Sequence, residues 1–363
     1  MNLCSEIKNP KILILRYRFI GDTVLTTPFI KNVKKIFPDS KIDILVSPNS
    51  GELIEGNPNI RKVFYLDSTK AHKYEHDGRF GFYPKSTAKE FKSLFSCANE
   101  LKKEKYDLIF VLKRSFSSAF LAYLIGAKYR VGFNTEFRSF FLTHPISYDK
   151  SKHELNNFLD CLQLFSKNTE IFTPEIFPSE NEKQKAKELL KSLDPYKPKI
   201  LIHASSAHPY KAWSKRYFAE LLDDLYEKYK AQFVFTGASI DKEIYDVILS
   251  KSKYKNKILY ENLCGKTNIR ECYAIYENLH MAICVDSGNA HLAAAAGIPT
   301  YVLFGPTRPD KWLPKGEKVY SIKLKQNLPC QPCDVKVKCS HLSCMKLLTP
   351  DYVMAEVNDA FRN

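Results

Sequence analysis

Residues 11–28, KILILRYRFIGDTVLTTP, pass from an unbroken apolar run through a short turn into a helical pattern. An apolar run that does not alternate with polar residues marks a parallel strand covered on both faces. The run reaches Arg16, the turn occupies RFIGD, and a helix is expected over 23–37. Gly21 permits a tight turn, and Asp22 stands where the strand's carboxyl end meets that helix. The position suits an aspartate that caps the helix, and equally a general base exposed beyond the strand.

Outward from this stretch the strand-then-helix alternation recurs at 41–46 (KIDILV), 62–66 (KVFYL), 107–112 (DLIFVL) and 129–133 (YRVGF). These predict a first α/β domain. A helical pattern over 150–166 gives way to a proline-rich passage, which places a boundary near residue 175. The alternation restarts at 199–204, 232–237, 257–260, 280–286 and 299–305. The expected fold class is α/β, with two Rossmann-like domains, 1–175 and 176–363, facing across a cleft. Sheets of this kind bind ligands beyond the carboxyl ends of their strands, so functional residues are sought there.

The chain has 363 residues, of which 44% are hydrophobic and 26% charged, which excludes both a small disulfide-stapled module and intrinsic disorder. A net charge of +15 predicts attraction to phosphates, whether of nucleic acid, nucleotide or anionic lipid. The opening residues lack a signal peptide's apolar core, and the 10 cysteines are mostly scattered, so a reducing cytoplasm is the expected compartment. The longest charge-free apolar stretch, 115–127, is too short to span a bilayer. Residues 72–92 are basic, aromatic and unpatterned, and a stretch of this kind is usually functional or mobile.

Two further constellations follow strands. In VDSGNAHLAAAAGIP, Asp286 ends a strand and a helix opens near Gly288, flanked by Ser287, Asn289 and His291. Unpaired first-turn amides there form an anion site, although a capping box with a buried histidine reads the same way. In HASSAHPYKAWSKRYF the loop offers Ser205, Ser206 and Lys211, and Lys211 is suited to neutralising a diphosphate. The loop FGPTRPDKW follows the next strand and can line the same region. Neither a dinucleotide fingerprint nor a P-loop is present. Cys330, Cys333, Cys339 and Cys344 supply only half of a paired zinc-knuckle spacing, so packed thiols are expected and no metal ligand is assigned.

Taken in order, ILRYRFIGDTVLTTP, VDSGNAHLAAAAGIPTYVLFGPT and the closing CQPC…C…CM segment resemble glycosyltransferase family 9, the ADP-heptose:lipopolysaccharide heptosyltransferases, over nearly the whole chain. The resemblance implies the GT-B arrangement, with an acceptor-binding N-terminal domain and an ADP-sugar-binding C-terminal domain. It implies inverting transfer of heptose from ADP-heptose to a lipid-linked inner-core sugar, at the cytoplasmic face of the inner membrane. Asp22 corresponds to the family's proposed base. Asp286 falls near the donor heptose, with Ser287, Gly288 and His291 contributing to sugar and diphosphate binding. Ser206 and Lys211 match the strand-end loop, with Ser205 beside them, and Asp241 is the nearest match to an acidic residue at the adenosine ribose. Lys211 and the helix end near Gly288 stabilise the departing diphosphate. No cofactor or divalent ion is required, and no DxD pair is present.

Arg18, Lys113 and Arg114 follow N-terminal strands and suit the acceptor's phosphates or carboxylates, with ordinary surface charge as the other reading. The segment HKYEHDGRFGFYPK suits lipid headgroups. Two alternatives stay open at this level: a GT-B enzyme using another sugar nucleotide, and a basic nucleic-acid-binding protein. Basic residues spread along the chain without a recognised motif disfavour the latter, so nucleic acid is not an expected partner.

Overall fold

The structure is a computed structural model. It describes residues 3–17, 19–66, 88–135, 137–326, 328–335 and 338–358. Arg18 and the stretch HKYEHDGRFGFYPK lie outside the described residues. The chain divides into two compact units, Met1–Phe177 and Pro178–Asn363.

The first unit holds strands β1 (Lys11–Leu15), β2 (Lys41–Val46), β3 (Lys62–Tyr65), β4 (Leu108–Val111), β5 (Tyr129–Phe133) and β6 (His144–Ile146). They form one parallel sheet in the order β3-β2-β1-β4-β5-β6. Its helices are α1 (Ile20–Val24), α2 (Thr26–Ile36), α3 (Pro48–Gly51), α4 (Ala88–Lys102), α5 (Phe116–Ile125) and α6 (Glu154–Asp160). Of the stretch 72–92 read as unpatterned, residues 88–92 belong to α4, and the rest lies outside the described residues. Alternation along β1 explains its unbroken apolar sequence. Ile12 and Ile14 pack with Phe29, Phe110 and Phe158 on one face, while Leu13 and Leu15 pack with Leu45, Ile109 and Leu121 on the other.

The single helix expected after β1 is two. Pro28 has no N–H to return to the Val24 carbonyl, and the Thr27 hydroxyl donates to that oxygen instead, at 2.9 Å. The Thr26 hydroxyl likewise donates to the Asp22 carbonyl, at 2.8 Å. The chain steps at Leu25 between α1 and α2.

The second unit repeats the plan with β7 (Lys199–His203), β8 (Gln232–Phe235), β9 (Tyr260–Asn262), β10 (Met281–Val285), β11 (Thr300–Leu303) and β12 (Val319–Ile322), ordered β12-β11-β10-β7-β8-β9. Its helices are α7 (Glu180–Leu189), α8 (Lys215–Tyr229), α9 (Lys242–Lys251), α10 (Ile269–Tyr276), α11 (Gly288–Ala295), α12 (Pro309–Trp312), α13 (Ser343–Lys346) and α14 (Pro350–Asn358). Read from the matching end, both sheets have the same strand order. In each, the order reverses between the first and fourth strands, β1 with β4 and β7 with β10. These are the switch points where doubly wound sheets open a crevice beyond their carboxyl ends.

Candidate active site

Beyond β1 and β4 in the first unit, a group of charged side chains is packed against aromatic rings. Asp22 is the third residue of α1, not a cap before Thr23; the cap position belongs to Phe19, which offers no side-chain hydrogen bond. The capping reading of Asp22 is thereby corrected, because the helix begins three residues earlier than its sequence suggested. Asp22 Oδ2 lies 2.6 Å from Arg16 Nη2, with the two side chains 12% and 7% exposed. The Arg16 guanidinium stands 5.1 Å over the Phe158 ring.

Lys113 is buried rather than on the surface, its Nζ 4.0 Å over the ring of Tyr17. Arg114 is one-third exposed, its guanidinium 3.9 Å from the Tyr148 ring centre and its Nε 3.9 Å from Glu154 Oε1. The Tyr148 hydroxyl donates to Glu154 Oε2 at 2.6 Å. Burial and this carboxylate push the phenol well above its usual range. The surface-charge reading thus fails for Lys113 and holds in part for Arg114. Arg138, wholly buried, fixes the intervening turn by donating to the carbonyls of Lys113 (2.7 Å) and Ser115 (3.3 Å) and to the Thr135 hydroxyl (2.8 Å).

In the second unit, three loops beyond β7, β10 and β11 converge. Lys211 Nζ meets Asp286 Oδ2 at 2.7 Å, and the Thr307 hydroxyl donates to the same oxygen at 2.6 Å. Ser287 occupies the cap position of α11 in extended geometry, yet its side chain does not cap, and its buried Oγ has no hydrogen-bond partner. The capping-box reading of this segment is corrected accordingly. His291 is buried one turn further on, while Gly288 and Asn289 are partly exposed.

Behind that helix end runs a buried polar chain. His203 Nδ1 bonds the Thr236 carbonyl at 3.1 Å, and its Nε2 lies 3.2 Å from Asn289 Nδ2. The Tyr276 hydroxyl donates to Asn289 Oδ1 at 2.9 Å and is 2.5 Å from the Thr236 hydroxyl. Burial holds His203 down to about 4, so its ring is neutral at physiological pH. Ser205 Oγ is 3.5 Å from His203 Nε2, and Ser206 Oγ accepts the His208 amide at 3.3 Å. Asp241 Oδ2 accepts the Ala238 amide at 2.8 Å, which commits that oxygen to the turn after β8.

Residues 94–342 match glycosyltransferase family 9 (heptosyltransferase). The chain belongs to this family. It is 25% identical over 361 residues to lipooligosaccharide heptosyltransferase 2 of Campylobacter jejuni, covering 97% of this chain and 99% of that protein. The crystal structure of a family 9 glycosyltransferase from Veillonella parvula superposes with a TM-score of 0.83 at 21% identity, covering 98% and 99% of the two chains. The E. coli heptosyltransferase WaaC with ADP-2-deoxy-2-fluoro heptose gives 0.70 at 14% identity, covering 96% and 99%. The fold is that of GT-B heptosyltransferases, and the protein is a glycosyltransferase.

For a family 9 enzyme, the residues that sequence reasoning overlooked are those that hold others. Arg16 and Thr307 each stand in a segment already singled out, and Arg16 carried a signal: a charged residue directly ending an apolar strand. Arg138, Glu154 and Tyr148 carried none. Cys330, Cys333, Cys339 and Cys344 line one cavity with His341, and burial pushes the Cys344 thiol up to about 11. Among the described residues, no group of three or more His, Cys, Asp or Glu side chains is placed to hold a metal ion. No helix there is long and apolar enough to cross a membrane.

Proposed function

We propose that this family 9 enzyme transfers heptose from ADP-heptose to a sugar hydroxyl of the lipopolysaccharide or lipooligosaccharide inner core, with inversion. The observation that carries the reading is the uncapped start of α11 beside the Lys211–Asp286 pair. Free first-turn amides and one cation suit a diphosphate, and the Ser287 hydroxyl is left without a protein partner. Asp286 is assigned to the donor sugar, His291 and Gly288 to the same pocket, Ser205 and Ser206 to its rim, and Asp241 to the ribose.

Asp22 is assigned as general base. It takes the acceptor hydroxyl proton as that oxygen bonds the anomeric carbon. The bond from that carbon to the diphosphate oxygen breaks on the opposite side, and ADP leaves with the electron pair. Lys211 and the α11 amides stabilise the charge on the leaving group. Arg114, braced by Tyr148 and Glu154, is assigned to the acceptor's anionic groups, with Lys113 behind it.

The acceptor's lipid anchor places the enzyme at the cytoplasmic surface of the inner membrane. An aromatic surface on the first unit supports this. Phe116 and Tyr123 are about half exposed and pack ring to ring with Phe120 and Phe141, and Phe140, next to Phe141 in the chain, is 88% exposed. Incubation with ADP-heptose and defined truncated core acceptors, read by mass spectrometry, tests the function. One added heptose is expected. Transfer from a different sugar nucleotide, or binding of nucleic acid with no response to ADP-heptose, overturns it.

A further inference from the structure

Arg16 continues the β1 ladder, its amide donating to the Leu45 carbonyl at 3.0 Å. Its side chain then leaves the strand into a buried site, 7% exposed, and reaches Asp22 at 2.6 Å. Nε is buried without a hydrogen-bond partner. A guanidinium shut away from water with one donor unmatched is a poor device for stability, since a buried ion pair is often replaceable by packed apolar residues without loss. Phe158 under the guanidinium adds a face that confines it to one plane. The group on which this confined cation acts is the Asp22 carboxylate.

We propose that Arg16 is the positioning residue for Asp22. This rests on the assignment of Asp22 as base. Asp22 belongs to a five-residue helix and would otherwise turn about two side-chain torsions. The ion pair holds Oδ2 and thereby fixes the carboxylate plane, leaving Oδ1 as the oxygen that receives the acceptor proton. The arrangement repeats the logic of an oriented base, in which a third group fixes the one that moves the proton. Arg16 itself touches neither sugar and acts only through Asp22.

The test is a double-mutant cycle in the full-length enzyme, reading kcat, the KM of each substrate and the thermal midpoint. Arg16→Gln is expected to lower kcat about 10- to 100-fold while the KM for ADP-heptose stays within about twofold, the pattern of a displaced reacting group. Asp22→Asn abolishes the base, and adding Arg16→Gln to it should slow the enzyme no further. Arg16→Lys keeps the charge without the planar fork and should restore part of the rate, which a purely structural role does not predict. If Arg16→Gln fails to fold, the same cycle is run with Arg16→Lys, whose loss must likewise vanish on the Asp22→Asn background. A wild-type kcat in the Arg16 variants, or losses that multiply in the double variant, overturns the proposal. Wild-type enzyme that transfers no heptose overturns the transferase reading instead.

Discussion

Lys211 and Asp286, delivered by loops beyond two neighbouring parallel strands, meet at 2.7 Å, so the cation and the carboxylate assigned to the donor neutralise each other. On the proposed reading, a diphosphate bound at Lys211 competes with Asp286 for it, with the Thr307 hydroxyl still bonded to the released carboxylate.

Removing either partner should therefore have opposite effects on nucleotide binding. Lys211→Met is expected to weaken ADP and to lower kcat/KM by about 10²-fold, the usual loss for one preorganised donor. Asp286→Asn is expected to bind ADP more tightly, because Lys211 is freed, while turnover falls. Calorimetric titration with ADP alongside steady-state kinetics separates the two. Weaker ADP binding by Asp286→Asn contradicts the competition.

Asp22→Ala should leave ADP-heptose binding intact, because the donor groups belong to the other unit. Turnover should fall by about 10²- to 10⁴-fold, the contribution typical of a positioned general base. Donor affinity from equilibrium binding and single-turnover rates provide the comparison. Loss of donor binding together with activity would count against a role confined to the proton.

Both halves of the fold were legible because their central strands are covered on two faces and must be apolar throughout. The edges were less so. β6 (HPI) and β12 (VYSI) each pair on one side only and need no apolar run, so neither was anticipated. β9 lies at Tyr260–Asn262, beyond the apolar residues that suggested a strand at 257–260. For the site, position after a strand sufficed to single out Asp22, Lys211 and Asp286. It could not show that Lys211 and Asp286 are ion-paired, that Ser287 leaves α11 uncapped, or that Arg138 returns from a later loop to bond the β4 exit. Those facts depend on distant segments meeting, and local pattern carries no trace of them.

Arg138 offers the strongest stability test in the first unit. It is wholly buried and donates to two carbonyls of the Lys113–Ser115 turn, each of which also accepts from the Ser118 hydroxyl, and to the Thr135 hydroxyl. Arg138→Met should destabilise the protein by about 1–3 kcal/mol, the range for leaving buried neutral polar groups short of a hydrogen-bond partner. Chemical denaturation measures it. The acceptor KM of whatever folds should also rise, since Arg114 sits in the turn that Arg138 holds.

His203 makes stability depend on pH. Its folded value of about 4 lies below the ordinary 6.5, because burial disfavours the charged ring. The unfolded chain binds a proton that the folded ring refuses, so acid favours unfolding. This contribution is complete above pH 6.5 and is lost as pH falls toward 4. In His203→Gln the fall in thermal midpoint between about pH 7 and about pH 4.5 should be shallower, although the variant starts lower at pH 7. An unchanged slope would show that the acid sensitivity arises elsewhere.

The aromatic surface around α5 carries the last prediction. Phe116, Phe120 and Tyr123 recur at helical spacing on a helix with no charged residue, and two of the three rings are about half exposed instead of buried. Water gains nothing from contact with such a stripe, whereas the headgroup boundary of a bilayer accommodates aromatic rings well. Arg114, two residues before α5, would then lie close to anionic headgroups. Phe116→Ser combined with Phe140→Ser should reduce co-sedimentation with vesicles containing anionic phospholipid and raise the KM for a lipid-anchored acceptor. The KM for a soluble, delipidated acceptor and the affinity for ADP should not change. Equal effects on both acceptors would assign these rings to the fold of the acceptor site, because a surface that only meets lipid has no means of sensing a substrate that lacks it.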